Sequence, residues 1–324
     1  MSVQFYNNVS WLTKIIPLDQ FLRQSGQKMI LPFYHTVSDL PAPHFSELGY
    51  YRDQEMFIKD LDFFQGNFES IDLHDFGDSK KAFHLSFDDG LSENFSLVAK
   101  LLNERKIHAT FFINLDFIDN KKMFIRHKIS LILHQLNHSE SNLRVASEYM
   151  KCEEIDLEGK VKKILEEKKV DELAALLQIN FSDYLMEQRP YLSTAELKEM
   201  KKMGFNIGNH SLSHPRFSTL AFKNQKIEVQ QVNNFLKNEL LAEDLYFCFP
   251  YGDDRVENQF FEWLCSEGEI LKSFGTAGLK KDHFPNHFHR ILMEYPHLTA
   301  QQIIKGEYMY YFAKAFLNKN KIRR

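Results

Sequence analysis

An α/β fold with a largely parallel sheet is what this chain predicts, on three observations. Strand-like apolar runs alternate with longer stretches whose apolar residues recur at helical spacing, as at 56–64 and 222–238. Strands joined by helical crossovers give that alternation, and they imply a parallel sheet. The strand-like runs also stop abruptly in polar loops: Leu85-Ser86-Phe87 gives way to Asp88-Asp89-Gly90, and Phe247-Cys248-Phe249 to Pro250-Tyr251-Gly252-Asp253. With 44% hydrophobic and 26% charged residues, 324 residues can bury a full-sized core.

Taken in order, residues 1–27 are mixed and end in Gln24-Ser25-Gly26-Gln27, a loop signal. Lys14 interrupts the first twenty residues, whose apolar pieces are only Trp11-Leu12 and Ile15-Ile16, so a signal-peptide core is not visible and a cytoplasmic location is expected. Residues 28–34 read as the first strand, with His35 at its carboxyl end, where α/β barrels carry functional side chains. His35 is a candidate site residue and, as readily, a hydrogen-bonded loop histidine. A long loop with Pro41, Pro43 and Gly49 follows, then the helical spacing of 56–64, a short extended piece at Ile71 and the strand that ends in the two carboxylates. Residues 117–188 carry helical patterns, including 128–136 and the charged run 158–178, and are read as a helical insertion. Lys162, Lys163, Glu166 and Glu167 in it form a solvated face. Arg126 stands at the start of this insertion, just past a strand, which makes it a second candidate for substrate contact. Beyond lie a helix at 222–238, a strand at 246–249, part of a helix at 260–265, strands at 273–276 and 291–293, and a closing helix at 300–324.

Composition excludes several function classes. A formal charge of -4 leaves no basic footprint for nucleic acid. No run of about 18 apolar residues exists for a transmembrane helix. Cys152, Cys248 and Cys265 are odd in number and lack metal-type pair spacing, so a disulfide framework is not expected. The 30 phenylalanines and 13 tyrosines are mostly core material, though aromatic walls are also what sugar rings stack upon.

Two stretches carry chemistry. Adjacent carboxylates repel, so Asp88 and Asp89 form either an ordinary turn or a pair that a cation or unequal protonation keeps together. In Gly208-Asn209-His210-Ser211-Leu212-Ser213-His214-Pro215, two imidazoles four apart match the spacing of one face of a helical turn and can share a metal. Pro215 disfavours helical backbone at His214, which should close a short turn. Neither stretch alone is specific.

Together, and in this order, Ser86-Phe87-Asp88-Asp89-Gly90, the His210-to-Pro215 stretch and Pro250-Tyr251-Gly252 resemble the polysaccharide deacetylases of carbohydrate esterase family four. Residues 101–113 are similar to that family's first helix and following strand, and 192–208 to the helix and strand before its histidine motif. The resemblance covers roughly residues 80–295, less the insertion. It implies a distorted, incomplete (β/α) barrel, one catalytic domain spanning 1–324, with its site at the carboxyl ends of the strands. It further implies a divalent metal, zinc by the ligand set, on Asp89, His210 and His214, and Asp88 as general base. Tyr251 would offer its backbone N–H to the oxyanion, a donor that Pro250 beside it lacks, and Pro250 would instead contact the substrate.

Two departures matter. The family's arginine before the proline-tyrosine-glycine segment is Cys248 here, and its late leucine-x-histidine motif is not recognisable. His287-Phe288-His289-Arg290 stands near that point, so His289 is the candidate general acid and Arg290 the candidate partner of Asp88. Both can serve only if the segment is a loop or bulge, because neighbours on a strand face opposite ways. The expected function is removal of an N-acetyl group from an amino sugar or glycan. A sugar deformylase or O-deacetylase is the alternative among enzymes, and a catalytically weak, metal-containing carbohydrate-binding module the alternative outside them.

Overall fold

A computed structural model of the chain describes residues 6, 13, 15–49, 51–76, 81–295 and 297–322. Eight short strands form its main sheet: β1 (Pro32–Tyr34), β2 (Leu85–Phe87), β3 (Ala109–Ile113), β4 (Asn206–Asn209), β5 (Tyr246–Cys248), β6 (Lys272–Gly275), β7 (His287–His289) and β8 (Ile291–Leu292). Their order is β7-β6-β5-β4-β3-β2-β1-β8, and every pairing is parallel. The two edge strands are consecutive in sequence, with Arg290 alone between them. At this seam the Arg290 N–H donates to Gly275 O of β6 at 3.0 Å and the Ile291 N–H to Leu31 O, beside β1, at 2.8 Å. One stretch of chain thus pairs with both edges, and the sheet is a nearly closed barrel of the expected type.

Strands of such a barrel are covered on both faces, so β1, β2, β3 and β5 are buried along their whole length. Successive side chains still alternate: Phe111 belongs to the large outer core, whereas Phe112 joins Leu31, Cys248 and Phe274 in the interior. Rings stack from strand to strand outside the barrel, Tyr34 on Phe87 at 5.6 Å and Phe87 on Phe111 at 5.1 Å.

Helices cover that outer layer. They include α1 (Leu18–Ser25), α2 (Gln54–Asn67), α8 (Thr194–Lys202), α9 (Phe222–Leu240), α10 (Asn258–Cys265) and α11 (Ala300–Phe316), while α3 (Ile125–Asn137), α4 (Glu140–Met150), α5 (Glu154–Val161), α6 (Glu167–Leu176) and α7 (Phe181–Gln188) lie between β3 and β4. Their starts follow sequence chemistry: Asp53 accepts from the Met56 N–H at 2.7 Å, and Ser193 with Glu196 and Thr299 with Gln302 form capping boxes. Asp60 of α2 accepts from Nε and Nη2 of Arg52 (2.8 and 2.7 Å), the Tyr34 hydroxyl (3.0 Å) and the Ala300 N–H (3.2 Å), tying β1, α2 and the start of α11 together.

Three expected elements differ. The first strand divides, since Met29–Ile30 pairs with Ala82–Phe83 in a separate three-stranded sheet before β1 enters the barrel. The charged run 158–178 is two helices, α5 and α6. The closing helix ends at Phe316, and residues 323 and 324 of its expected span lie outside the described residues. No described helix is long and apolar enough to cross a membrane.

Candidate active site

Asp88 and Asp89 leave the end of β2 together but meet different partners. The Asp88 N–H bonds Tyr34 O at 3.0 Å, which sets it beside His35 at the end of β1. Asp89 has φ 69, a left-handed backbone uncommon for a residue with a side chain. Its Oδ1 lies 3.3 Å from His214 Nε2 and 3.5 Å from His210 Nε2, and the three donor atoms all fall within 4.8 Å of one another. The imidazoles meet on the short turn that Pro215 implied, and not along one face of a helix. Ser211 (φ 72) and His214 (φ 59) fold the segment into a turn, which the Ser211 hydroxyl steadies by accepting the His214 N–H at 3.0 Å.

The donor atoms suit a cation. His210 Nδ1 stands 2.9 Å from the Cys248 carbonyl, an acceptor, so Nδ1 carries the proton and the Nε2 lone pair faces Asp89. Burial lowers the His210 value to about 4, leaving the ring neutral at pH 7. Asp89 Oδ1 is buried and makes no hydrogen bond among the described residues, although burial of an unbonded carboxylate oxygen is costly. A carboxylate oxygen facing the His210 lone pair, with the His214 Nε2 at 3.3 Å, is a donor set that fits a divalent ion of the zinc type, and three protein ligands leave positions open.

Asp88 is held otherwise. Its two oxygens each accept from Arg290 at 2.7 Å, a bidentate pair with both residues buried. Burial pushes the Asp88 value up, but the guanidinium and His210 outweigh it, so the carboxyl stays below its usual range. Arg290 also donates to Ser86 Oγ at 2.9 Å, touches Cys248 Sγ, and lies 4.3 Å over the Phe33 ring and 5.3 Å over the Phe112 ring. The small Cys248 side chain leaves the space that this guanidinium, arriving from the barrel seam, fills.

His289 does not join them. Both residues could serve only from a loop or bulge, but the segment is the strand β7, and alternation turns Arg290 into the barrel while His287 and His289 face outward. His289 Nε2 pairs with Asp282 at 3.1 Å and the side chain is fully buried, so this position gives no support to a general-acid role. His35 is placed better. Its Nδ1 is 2.6 Å from Glu294 Oε2, while Glu294 Oε1 accepts the His35 and Thr36 N–H groups at 2.6 and 3.0 Å. Burial works against the His35 proton, but Glu294 outweighs it, with Asp89 and Asp88 adding, and the value is raised to about 9.

Tyr251 stands at the mouth, 46% exposed with φ 61, its ring 4.7 Å from that of His214 and 5.0 Å beneath the Arg216 guanidinium. Pro250 before it is buried and accepts the Gly252 N–H at 2.7 Å. Arg126 is half-buried and donates to Lys162 O at 2.7 Å; burial raises the Tyr251 hydroxyl above its usual range, and Arg126 offsets this only in part. Left-handed backbone at Asp89, His214 and Tyr251 is strain of about 1–3 kcal/mol each, of the kind that persists where function over-determines the geometry.

Sequence reasoning missed Glu294 and Phe124, whose ring is 4.4 Å from that of His214. Glu294 had a signal: Ile291-Leu292-Met293 ends in a carboxylate just as Leu85-Ser86-Phe87 does. Phe124 had none.

A family model described as polysaccharide deacetylase matches residues 77–260. No curated protein matches the sequence. Among solved structures, the Streptococcus pyogenes deacetylase PplD in complex with acetate is 12% identical, with 86% of this chain and 97% of that one covered at a TM-score of 0.56. A Bacillus cereus polysaccharide deacetylase is 13% identical, with coverage of 86% and 68% and a TM-score of 0.54. A de-N-acetylase from Aggregatibacter actinomycetemcomitans is 11% identical, with coverage of 86% and 99% and a TM-score of 0.52. These three share the fold, and the family match covers more than half of the sequence: the chain belongs to the polysaccharide deacetylase family, hydrolases that act on the amide or ester bonds of acetylated polysaccharides.

Proposed function

We propose that the chain is a metal-dependent hydrolase that removes the N-acetyl group from an amino sugar of a glycan. What carries this reading is the division between adjacent carboxylates: Asp89 turns an unbonded oxygen toward two imidazoles, whereas Asp88 is gripped in both oxygens by Arg290. Asp89, His210 and His214 would hold the divalent ion, which when bound would polarise the acetyl carbonyl and acidify water. Asp88, kept ionised, takes the proton of the attacking water, and Arg290 fixes its orientation. Tyr251 offers its backbone N–H to the developing oxyanion. His35 replaces His289 as proton donor to the departing nitrogen, since Glu294 holds it by Nδ1 and leaves Nε2 to donate. Arg126 lines the substrate's approach. One solved structure of the same fold is a de-N-acetylase, which supports the acetamide as the bond cut.

Zinc content and turnover of Asp88→Asn and Asp89→Asn test the assignment. Asp89→Asn should lose both, whereas Asp88→Asn should keep its zinc and lose turnover with little change in KM. Equal zinc loss in the two variants would make Asp88 a ligand and put the base elsewhere.

A further inference from the structure

On the outer face of β7, away from Asp88 and Asp89, two imidazoles and two carboxylates converge. His287 Nε2 stands 3.2 Å from Asp253 Oδ2 and His289 Nε2 3.1 Å from Asp282 Oδ2, with no side chain more than 8% exposed. One donor atom from each of the four lies within 4.8 Å of every other. Gly275, opposite His289 on β6, permits this approach: a Cβ there would sit 2.3 Å from Asp253 Oδ1 and 2.7 Å from His289 Nδ1.

We propose that Asp253, Asp282, His287 and His289 bind a second divalent cation, of the zinc class, separate from the one assigned to Asp89, His210 and His214. Zinc bonds of about 2.0–2.1 Å put tetrahedral ligands about 3.3 Å apart, and the two separations above are close to that spacing. Four protein ligands close the shell, so the site is structural and leaves no position for water or substrate. Its place explains its use. Asp253 is two residues past Tyr251, Asp282 lies in the loop between β6 and β7, and β7 leads directly into Arg290, so one ion would clamp the Tyr251 turn and the barrel seam together.

The test strips purified full-length protein with chelator, reloads it with zinc, removes the excess, and counts zinc per chain by elemental analysis, with thermal unfolding in parallel. Wild type should hold two ions, and His214→Ala and Asp282→Asn one each. Asp282→Asn keeps the size of the side chain and a hydrogen bond to His289, and should show a lower Tm that no longer responds to chelator as wild type does. One ion in wild type, lost in His214→Ala and kept in Asp282→Asn, would overturn the second site and leave a metal-free histidine-aspartate network. One ion lost in Asp282→Asn but kept in His214→Ala would support this site and sink the catalytic ligand set instead. Should Asp282→Asn not fold, by circular dichroism, His287→Gln carries the same comparison.

Discussion

Side-chain partners decide which of the ionisable groups here can do which chemistry. His35 is the clearest case, because its ordinary value of about 6.5 is raised to about 9 by Glu294 against the effect of burial. A raised histidine keeps its proton through neutrality, so both the donor role and the stability from the Glu294 pair are full below about pH 6.5 and lost as pH rises through about 9. A cation on Asp89 brings that upper limit down, by repulsion, without changing its direction. Glu294→Gln removes the carboxylate and leaves burial, so at equal zinc loading the alkaline limb of the pH profile for kcat should move to lower pH. A limb that stays in place would reject His35 as the acid. Glu294 also shows what sequence could not supply: a carboxylate at a strand end is visible as a type, but its partner, 259 positions away, is set only when the barrel closes.

Strand geometry, one scale up, explains why some expectations transferred and others did not. The motifs at the ends of β2, β4 and β5 were legible because parallel strands deliver contiguous loop residues to one rim. The seam was legible only in part. Cys248 announced a missing positive charge, and Arg290 was the residue expected to pair with Asp88 in its place, but whether His289 could reach the site as well depended on which face β7 turns inward, and a residue-by-residue reading leaves that undetermined. The close packing of β4 on β3 gives a test at this scale. A Cβ on Gly208 would come within 2.4 Å of the Phe112 ring, which lies beneath Arg290, so Gly208→Ala forces that ring out of its present position under the guanidinium. Overpacking of this kind costs about 1–3 kcal/mol, and the urea midpoint should fall with an unchanged m value. Wild-type stability in Gly208→Ala would mean that the interior yields freely and does not brace Arg290.

For the molecule as a whole, the barrel brings residues from five separate stretches to one rim, and Phe124, at the start of α3, sets its ring 4.4 Å from that of His214 on one side. The length and helical character of 117–188 were readable from spacing, but its contact with His214 was not, because aromatic packing between distant segments leaves no local pattern. The central claim is that this assembly cuts acetamide bonds of glycans and needs a divalent ion to do so. Mass spectrometry of N-acetylated oligosaccharides after incubation with zinc-loaded protein measures it most directly. Loss of acetyl mass with release of acetate is predicted for the zinc-loaded wild type, abolished by chelator, restored by zinc and absent in Asp88→Asn. Acetyl loss that is the same with and without metal, or that occurs only from O-acetyl esters, would contradict it.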